Sequence, residues 1–299
     1  MRTFYTISLI TLLSFGQTLF AQKLEKIRGD RNVTTEPVSI QAYQKLEVGQ
    51  NIELDLEFQP EPKAVIEVDQ NLLPYIKIEN NNGKLSIRST KEITKYRTLI
   101  VHLGFNDSLQ EITASEKSVI QSQSTLKTNN ISVTGLDHAK LALNIESAAG
   151  AKVALYGKAE LSGKIKANEI QLKGSDHTNL DLSTESNLLK VNLQQKSKLT
   201  LNGTGKQNVY NTSGYTYLNA SNHNNLKLAL TTTGHAQNFV NANENFELAS
   251  SKNAKTYLFG EQPKVTISNF SDDSLLLKTS KMPSNFHKII NKVNHLRNK

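Results

Sequence analysis

From residue 38 to residue 105 the chain alternates apolar and polar positions in short runs: VSIQAYQKLEV, NIELDLEF, AVIEVD, YIKIEN, KLSIRS and TLIVHLGF. A period of two, with Val, Ile, Leu and Tyr sharing one parity, predicts half-buried β-strands, and GQN, QPEPK and NNNG between the runs supply turns. Asn82-Gly83 sits between YIKIEN and KLSIRS, where a type I′ hairpin needs positive φ at both central residues. The pattern predicts an antiparallel meander.

From about residue 111 the strands shorten, and Asn, Ser, Gly and Asp separate them. Starting at Asn129 and again at Asn168, 39 residues on, the pattern N-x-I-x-(V/L)-x-G-x-D-H-x-x-L-x-L-x-x-E-S repeats, and a looser third copy places Asn222-His223 before Leu226, Leu228 and Leu230. AKVALYG (151–157), SKLTLNG (197–203) and AKTYLFG (254–260) interleave with it. Two strand-turn units per repeat make one unit per roughly 20 residues, the length of one coil of a β-solenoid. Stacked coils place like residues over like, so Leu141, Leu143, Leu180, Leu182, Leu226 and Leu228 are expected to form inner columns. Val153, Leu155, Leu199, Leu201 and Leu258 are expected to form another set, and the Asn-rich turns to form ladders.

The expected organisation is a secretory signal (1–21), an N-terminal β-strand region (22–110), a β-solenoid (111–280) and a basic tail (281–299). RTFYTISLITLLSFGQTLFA has the order of a cleaved signal peptide and is too short and interrupted for a spanning helix. No later segment is apolar enough for one. In the tail, Phe286, Ile289, Ile290, Val293 and Leu296 follow helical spacing after Ser284. They predict a short amphipathic helix that caps the stack or lies on an anionic lipid surface, with a frayed end as the other reading. The fold class is therefore all-β, with antiparallel strands leading into a parallel β-helix-like repeat and ending in that helix.

Composition narrows the chemistry. The chain has no Cys, which excludes disulfides, a thiol nucleophile, a thiolate metal site and a lipid-modified Cys anchor. Its formal charge of +8 is concentrated in the tail, leaving about +2 on the body before it once Arg2 departs, too little for a nucleic-acid face.

Asp137, His138, Asp176 and His177 are the candidate surface-site residues. An Asp-His pair beginning a strand suits turn chemistry, and a weak cation site is the sharper reading. No spacing provides the three or four ligands zinc requires, so no metal or other cofactor is expected. Asp137, Glu146, Asp176, Asp181 and Glu185 could form the acidic cluster of a carbohydrate-active enzyme, although carboxylates that obey a repeat suit a scaffold better. Tyr210, Tyr215, Tyr217, Phe239, Phe246, Tyr257 and Phe259 are read as core near the tapering end, or as a platform for sugars or proteins. Asn71 to Tyr75 reads as a docked turn or a binding loop.

The opening VSIQAYQKLEVGQNIELDLEF, then AVIEVDQNLLPYIKIENNNGKLSI, then the Ser/Gly/Asn-rich repeats make the chain similar to the head GIN domain proteins, a family of adhesin-like exported proteins. Asp69, Asn71, Leu72, Leu73, Leu85 and Ile87 carry the match, which spans roughly residues 35–230. The resemblance implies a β-rich solenoid, a secreted or cell-envelope location and no established catalysis. The function expected is non-enzymatic adhesion or surface scaffolding toward a surface glycan or envelope protein, with no nucleic acid and with peripheral membrane contact through the tail. The alternative is a polysaccharide lyase or glycoside hydrolase on a similar scaffold.

Overall fold

A computed structural model describes residues 24–261 and 263–280. The signal-like segment 1–21 and the tail 281–299 lie outside the described residues, as does the helix expected there. The described chain is all-β apart from one 3₁₀ helix, Gln70–Tyr75, and forms a β-solenoid. Nineteen strands join one hydrogen-bonded network, and Lys26–Arg28 pairs separately with Glu92–Thr94.

Each coil leaves a four-residue corner, runs outward along a strand, bends, and returns to the next corner. Strands Lys140–Leu155, Glu160–Gly174, Asn179–Leu193, Lys198–Gly214, Tyr217–Gly234 and Gln237–Ser250 stack in parallel register. Burial alternates along each strand and changes parity at the bend, because the pairing skips a residue at Asn168, Asn187 and Lys206. Asn187 donates to Asn168 at 2.7 Å, and Asn243 donates to Asn224, so rungs of the expected Asn ladder are present.

Each repeat along the sequence spans two coils. One inner column runs Leu141, Leu161, Leu180, Leu199 and Leu218, and another runs Val153, Leu172, Val191, Tyr210, Leu230 and Leu248. SKLTLNG therefore belongs to the DHTNLDLS series one coil on, and Leu199 and Leu201 share columns with Leu180 and Leu182 rather than with Val153 and Leu155. Leu226 falls at the bend and is 40% exposed, while Leu228 and Leu230 are buried. The looser third copy is out of register by several residues, so its first leucine misses the core.

The antiparallel meander is corrected to a mixed arrangement. Lys45–Val48 and Glu53–Phe58 form a coil that pairs in parallel with Lys84–Ser89 and Leu99–Phe105 on one side. On its other side it pairs in parallel with Glu111–Ala114 and Val119–Ser122. Antiparallel pairing is confined to Val33–Val38 with Ala64–Asp69, Ala64–Asp69 with Leu99–Phe105, and Ile76–Asn81 with Lys84–Ser89. Alternation reports a half-buried strand but is blind to its neighbour's direction. The Asn82-Gly83 hairpin has the expected geometry, with φ of 53° and 79°.

Asp69 fixes this end. Its buried carboxylate accepts from the backbone N–H of Arg31 at 2.9 Å, of Arg97 at 3.1 Å and of Thr98 at 3.2 Å. Such charge-assisted bonds satisfy an anion that would otherwise be costly to bury. Gly29 approaches so closely that a Cβ there would lie 2.1 Å from Asp69 Oδ2. Asn71 ties the 3₁₀ helix to Arg28 O and Asp30 N, and Leu72 anchors it in the core, so this segment is docked.

The register yields a discriminating pair of substitutions. Leu199→Ala empties a filled column and should cost about 3 kcal/mol, whereas Leu226→Ala should stay within about 0.5 kcal/mol. Urea unfolding of both variants checks the difference, and equal losses would contradict the register.

Candidate functional site

The corners carry Asp137, His138, Asp176 and His177. In several corners the carbonyl of the first residue accepts from the amide of the fourth, as Leu136 O does from Ala139 N at 3.0 Å and Gln194 O from Ser197 N at 3.2 Å. The second residue is left-handed throughout the stack: Gln50, Glu116, Asp137, Gly157, Asp176, Gln195, Gly214, Gly234, Lys252 and Asp272. Asp is among the residues that tolerate this region, because its short side chain bonds locally. Here it also links coils. Asp137 Oδ2 accepts from Glu116 N at 3.2 Å, Asp176 Oδ2 from Gly157 N at 3.1 Å and Asp272 Oδ2 from Lys252 N at 3.0 Å.

The third corner residue points outward. His138 N bonds Glu116 O, Lys158 N bonds Asp137 O, His177 N bonds Gly157 O and Lys196 N bonds Asp176 O. These bonds place Lys117, His138, Lys158, His177 and Lys196 in one exposed file. His138 and His177 are thus in register but two coils apart, with Lys158 between them. Tyr215 and His235 extend the file, their rings stacked 4.8 Å apart at 15°, and Tyr215 is 64% exposed. Among the described residues, no group of three or more His, Asp or Glu side chains gathers to hold a metal.

Around the bend lies a second surface, an open groove of about 960 Å³ crossing six coils. Its central file is Lys127, Glu146, Lys166, Glu185, Thr204 and Asn224. Lys166 stands between Glu146 and Glu185 and pairs with Glu185 at 3.4 Å. Asn168, Asn187 and Lys206 line one side. The five acids considered together from sequence are therefore dispersed: Asp137 and Asp176 at the corner, Glu146 and Glu185 in the groove, and Asp181 on the outer strand face.

His223 is not at a corner. It lies in the column of Ile145, Ile165, Thr184 and Gly203, fully buried. Gly203, at φ 108°, leaves space over which the ring reaches Thr184 Oγ1 at 3.0 Å, and a Cβ there would strike Thr184 O at 2.1 Å. Nδ1 lies 2.9 Å from Asn225 Oδ1, which also accepts from Tyr210 Oη at 2.9 Å. Asn225 Nδ2 donates to the carbonyls of His223 and Asn241. These partners assign the proton to Nδ1 and leave Nε2 accepting from Thr184.

Among the aromatic residues, Tyr210 and Phe246 fill the core, as expected for that segment. Phe239 is buried on the other parity, stacked on Tyr257 at 4.7 Å and 5.6 Å from Tyr217.

A family model described as "Putative auto-transporter adhesin, head GIN domain" matches residues 42–175 and again 150–261. The chain belongs to the head GIN domain family. The two GIN-domain matches overlap over residues 150–175. Among solved structures, a "putative adhesin" from Parabacteroides distasonis is 17% identical with a TM-score of 0.65, and one from Parabacteroides merdae is 16% identical with a TM-score of 0.62. A "putative lipid binding protein" from Parabacteroides distasonis is 16% identical with a TM-score of 0.60. Each covers 85% of this chain and 100% of its own, and at these identities the likeness shows the fold alone. No curated protein matches the chain.

Burial, opposed by the hydrogen bond to Asn225, lowers His223 from 6.5 to about 4. Between these values the unfolded chain takes up a proton that the folded chain refuses. The stability His223 contributes is therefore complete above about pH 6.5, falls as pH drops toward 4 and levels off below it, at a slope of up to about 1.4 kcal/mol per pH unit. Urea unfolding between pH 7 and pH 4.5 should show this loss, and His223→Gln should flatten it. An unchanged slope in the variant would place the titration elsewhere.

Proposed function

We propose that this GIN-domain protein is an exported, non-enzymatic surface-binding protein that uses the groove around Lys166 to hold an extended partner, a surface glycan or an envelope protein. The reading takes residues 1–21 as the export signal, with the mature chain in the periplasm or on the outer surface. Family membership supports adhesin-like behaviour. Among the described residues, no helix is long and apolar enough to cross a membrane.

The observation that carries the proposal is the groove itself. It is open, crosses six coils and presents Lys, Glu, Asn, Ser and Thr at the regular rise of stacked strands, about 4.8 Å. A pocket that recognises one small molecule encloses it and lines it with apolar side chains; this surface instead repeats one set of hydrogen-bonding groups along a line, which suits a polymer. Carboxylate catalysis requires two acids with opposed roles facing one bond. Lys166 stands between Glu146 and Glu185 and pairs with Glu185, so the enzymatic alternative has no observation in its favour.

A glycan array and an envelope-fraction pulldown with the full chain test this reading. Binding is expected to fall about tenfold in Lys166→Glu, which places three like charges in a row and costs about 1.4 kcal/mol. Retention of neither glycan nor envelope protein, or retention unaffected by Lys166→Glu, would overturn it.

A further inference from the structure

The corner file differs from the groove in shape and charge, and it carries its own consequence. Lys117, His138, Lys158, His177 and Lys196 occupy successive coils, so five basic-capable side chains follow one line of about 19 Å at about 4.8 Å per step. All five are exposed. The acids of the neighbouring file, Glu116, Asp137 and Asp176, bond to the preceding corner: Asp137 and Asp176 accept from main-chain amides, and Glu116 accepts from Gln50 Nε2 at 3.4 Å. The carboxylates bond along the stack, while the lysine and histidine side chains of the next position are exposed.

An independent feature continues the same line. Tyr215 and His235 occupy the third corner position in the coils after Lys196, and Tyr215 keeps most of its surface exposed while stacked on the imidazole. A flat, exposed aromatic ring with a polar tip suits the apolar face of a sugar. Lower on the edge, Lys173 lies 5.1 Å over the ring of Tyr156, a first-position corner residue.

We infer that this edge binds a linear anionic glycan, with lysines and histidines meeting carboxylate or sulfate groups along the chain and Tyr215 stacking on one sugar. The site is one residue wide, so it suits a single thin chain; a small ion would engage only a rung or two. A nucleic-acid strand is less well matched, because sequence-independent binding of single strands uses successive aromatic platforms for successive bases. Here the aromatic pair stands only at one end.

Charge makes the binding sensitive to pH. With the imidazoles neutral, the three lysines of the file face the three carboxylates beside them, and the nearby strand residues add Lys140, Lys173 and Lys198 against Glu160. The register sets Asp137, Glu116, Lys117, Lys140, Lys158 and Glu160 at positions next to His138, and Asp176, Lys158, Lys173, Lys196 and Lys198 at positions next to His177. Protonated, His138 and His177 add two positive charges to this edge.

The test uses the full chain and polygalacturonate as the probe, with binding measured by calorimetry at pH 5.5 and pH 7.5 in low and moderate salt. Affinity is expected to rise about tenfold on acidification and to weaken with salt. His138→Gln with His177→Gln should abolish the pH dependence without changing the melting temperature, because both side chains are exposed. Tyr215→Ala should weaken binding at both pH values, and the groove variant Lys166→Glu should leave this binding unchanged, which separates this edge from the groove. Absence of binding at both pH values, unchanged pH dependence in the double variant, or equal affinity for a single-stranded oligonucleotide would overturn the inference.

Discussion

One left-handed residue at the corner of every coil is the constraint on which the rest depends. At that point the chain must reverse within four residues and begin the next strand exactly one inter-strand spacing away. A positive φ at the second corner position achieves this, and from Glu116 to Asp272 it recurs every 18 to 21 residues. Non-glycine residues in this region cost on the order of 1–2 kcal/mol, yet Glu, Asp, Gln and Lys all occupy it. Backbone bonds between successive corners, with Asp or Gln side chains capping an amide of the preceding corner, offset that cost.

From the corner follow the two properties that matter for function. Parallel register carries each side chain over its counterpart, so an accident of composition at one corner position becomes a line of like groups. The same register forces inward positions into columns, and near the C-terminal end those columns become polar: Thr212, Thr232 and Asn238 bond one another, and His223, Asn225 and Tyr210 form a satisfied node. Buried polar groups that find partners in this way hold a particular register, whereas leucine columns alone would tolerate slippage.

The strands, the hairpin at Asn82-Gly83 and the solenoid were legible because alternation and period are direct consequences of a repeating backbone. Register was less so. The Asp-His pairs are visible at a spacing of 39 residues because Asp and His are rare enough to notice, but they mark alternate coils. The coil between them turns through Gly157 and Lys158, and the one after through Gln195 and Lys196. The shared signal is physical: a residue able to adopt positive φ, an outward polar residue, then a small buried one. Ser118, Ala139, Ala159, Thr178, Ser197, Thr216, Ala236 and Ala254 fill that last position. His223 was misplaced for the same reason: a histidine after Asn looks like a corner, while the absence of a small residue after it, Asn224 standing there, argues against one. The parallel pairing of 45–58 with 84–105 had no local signal, since pairing direction is set by connections far apart in sequence.

The central claim is that successive corners stack in one file. Because the chain has no Cys, spin labels can be placed at will, and dipolar distances between position 138 and positions 158, 177 and 196 measure the stack directly. The account predicts backbone separations rising in equal steps of about 4.8 Å, with the 138–177 pair near 10 Å. Distances that fail to rise in order, or a 138–177 separation beyond about 20 Å, four inter-strand steps, would contradict it.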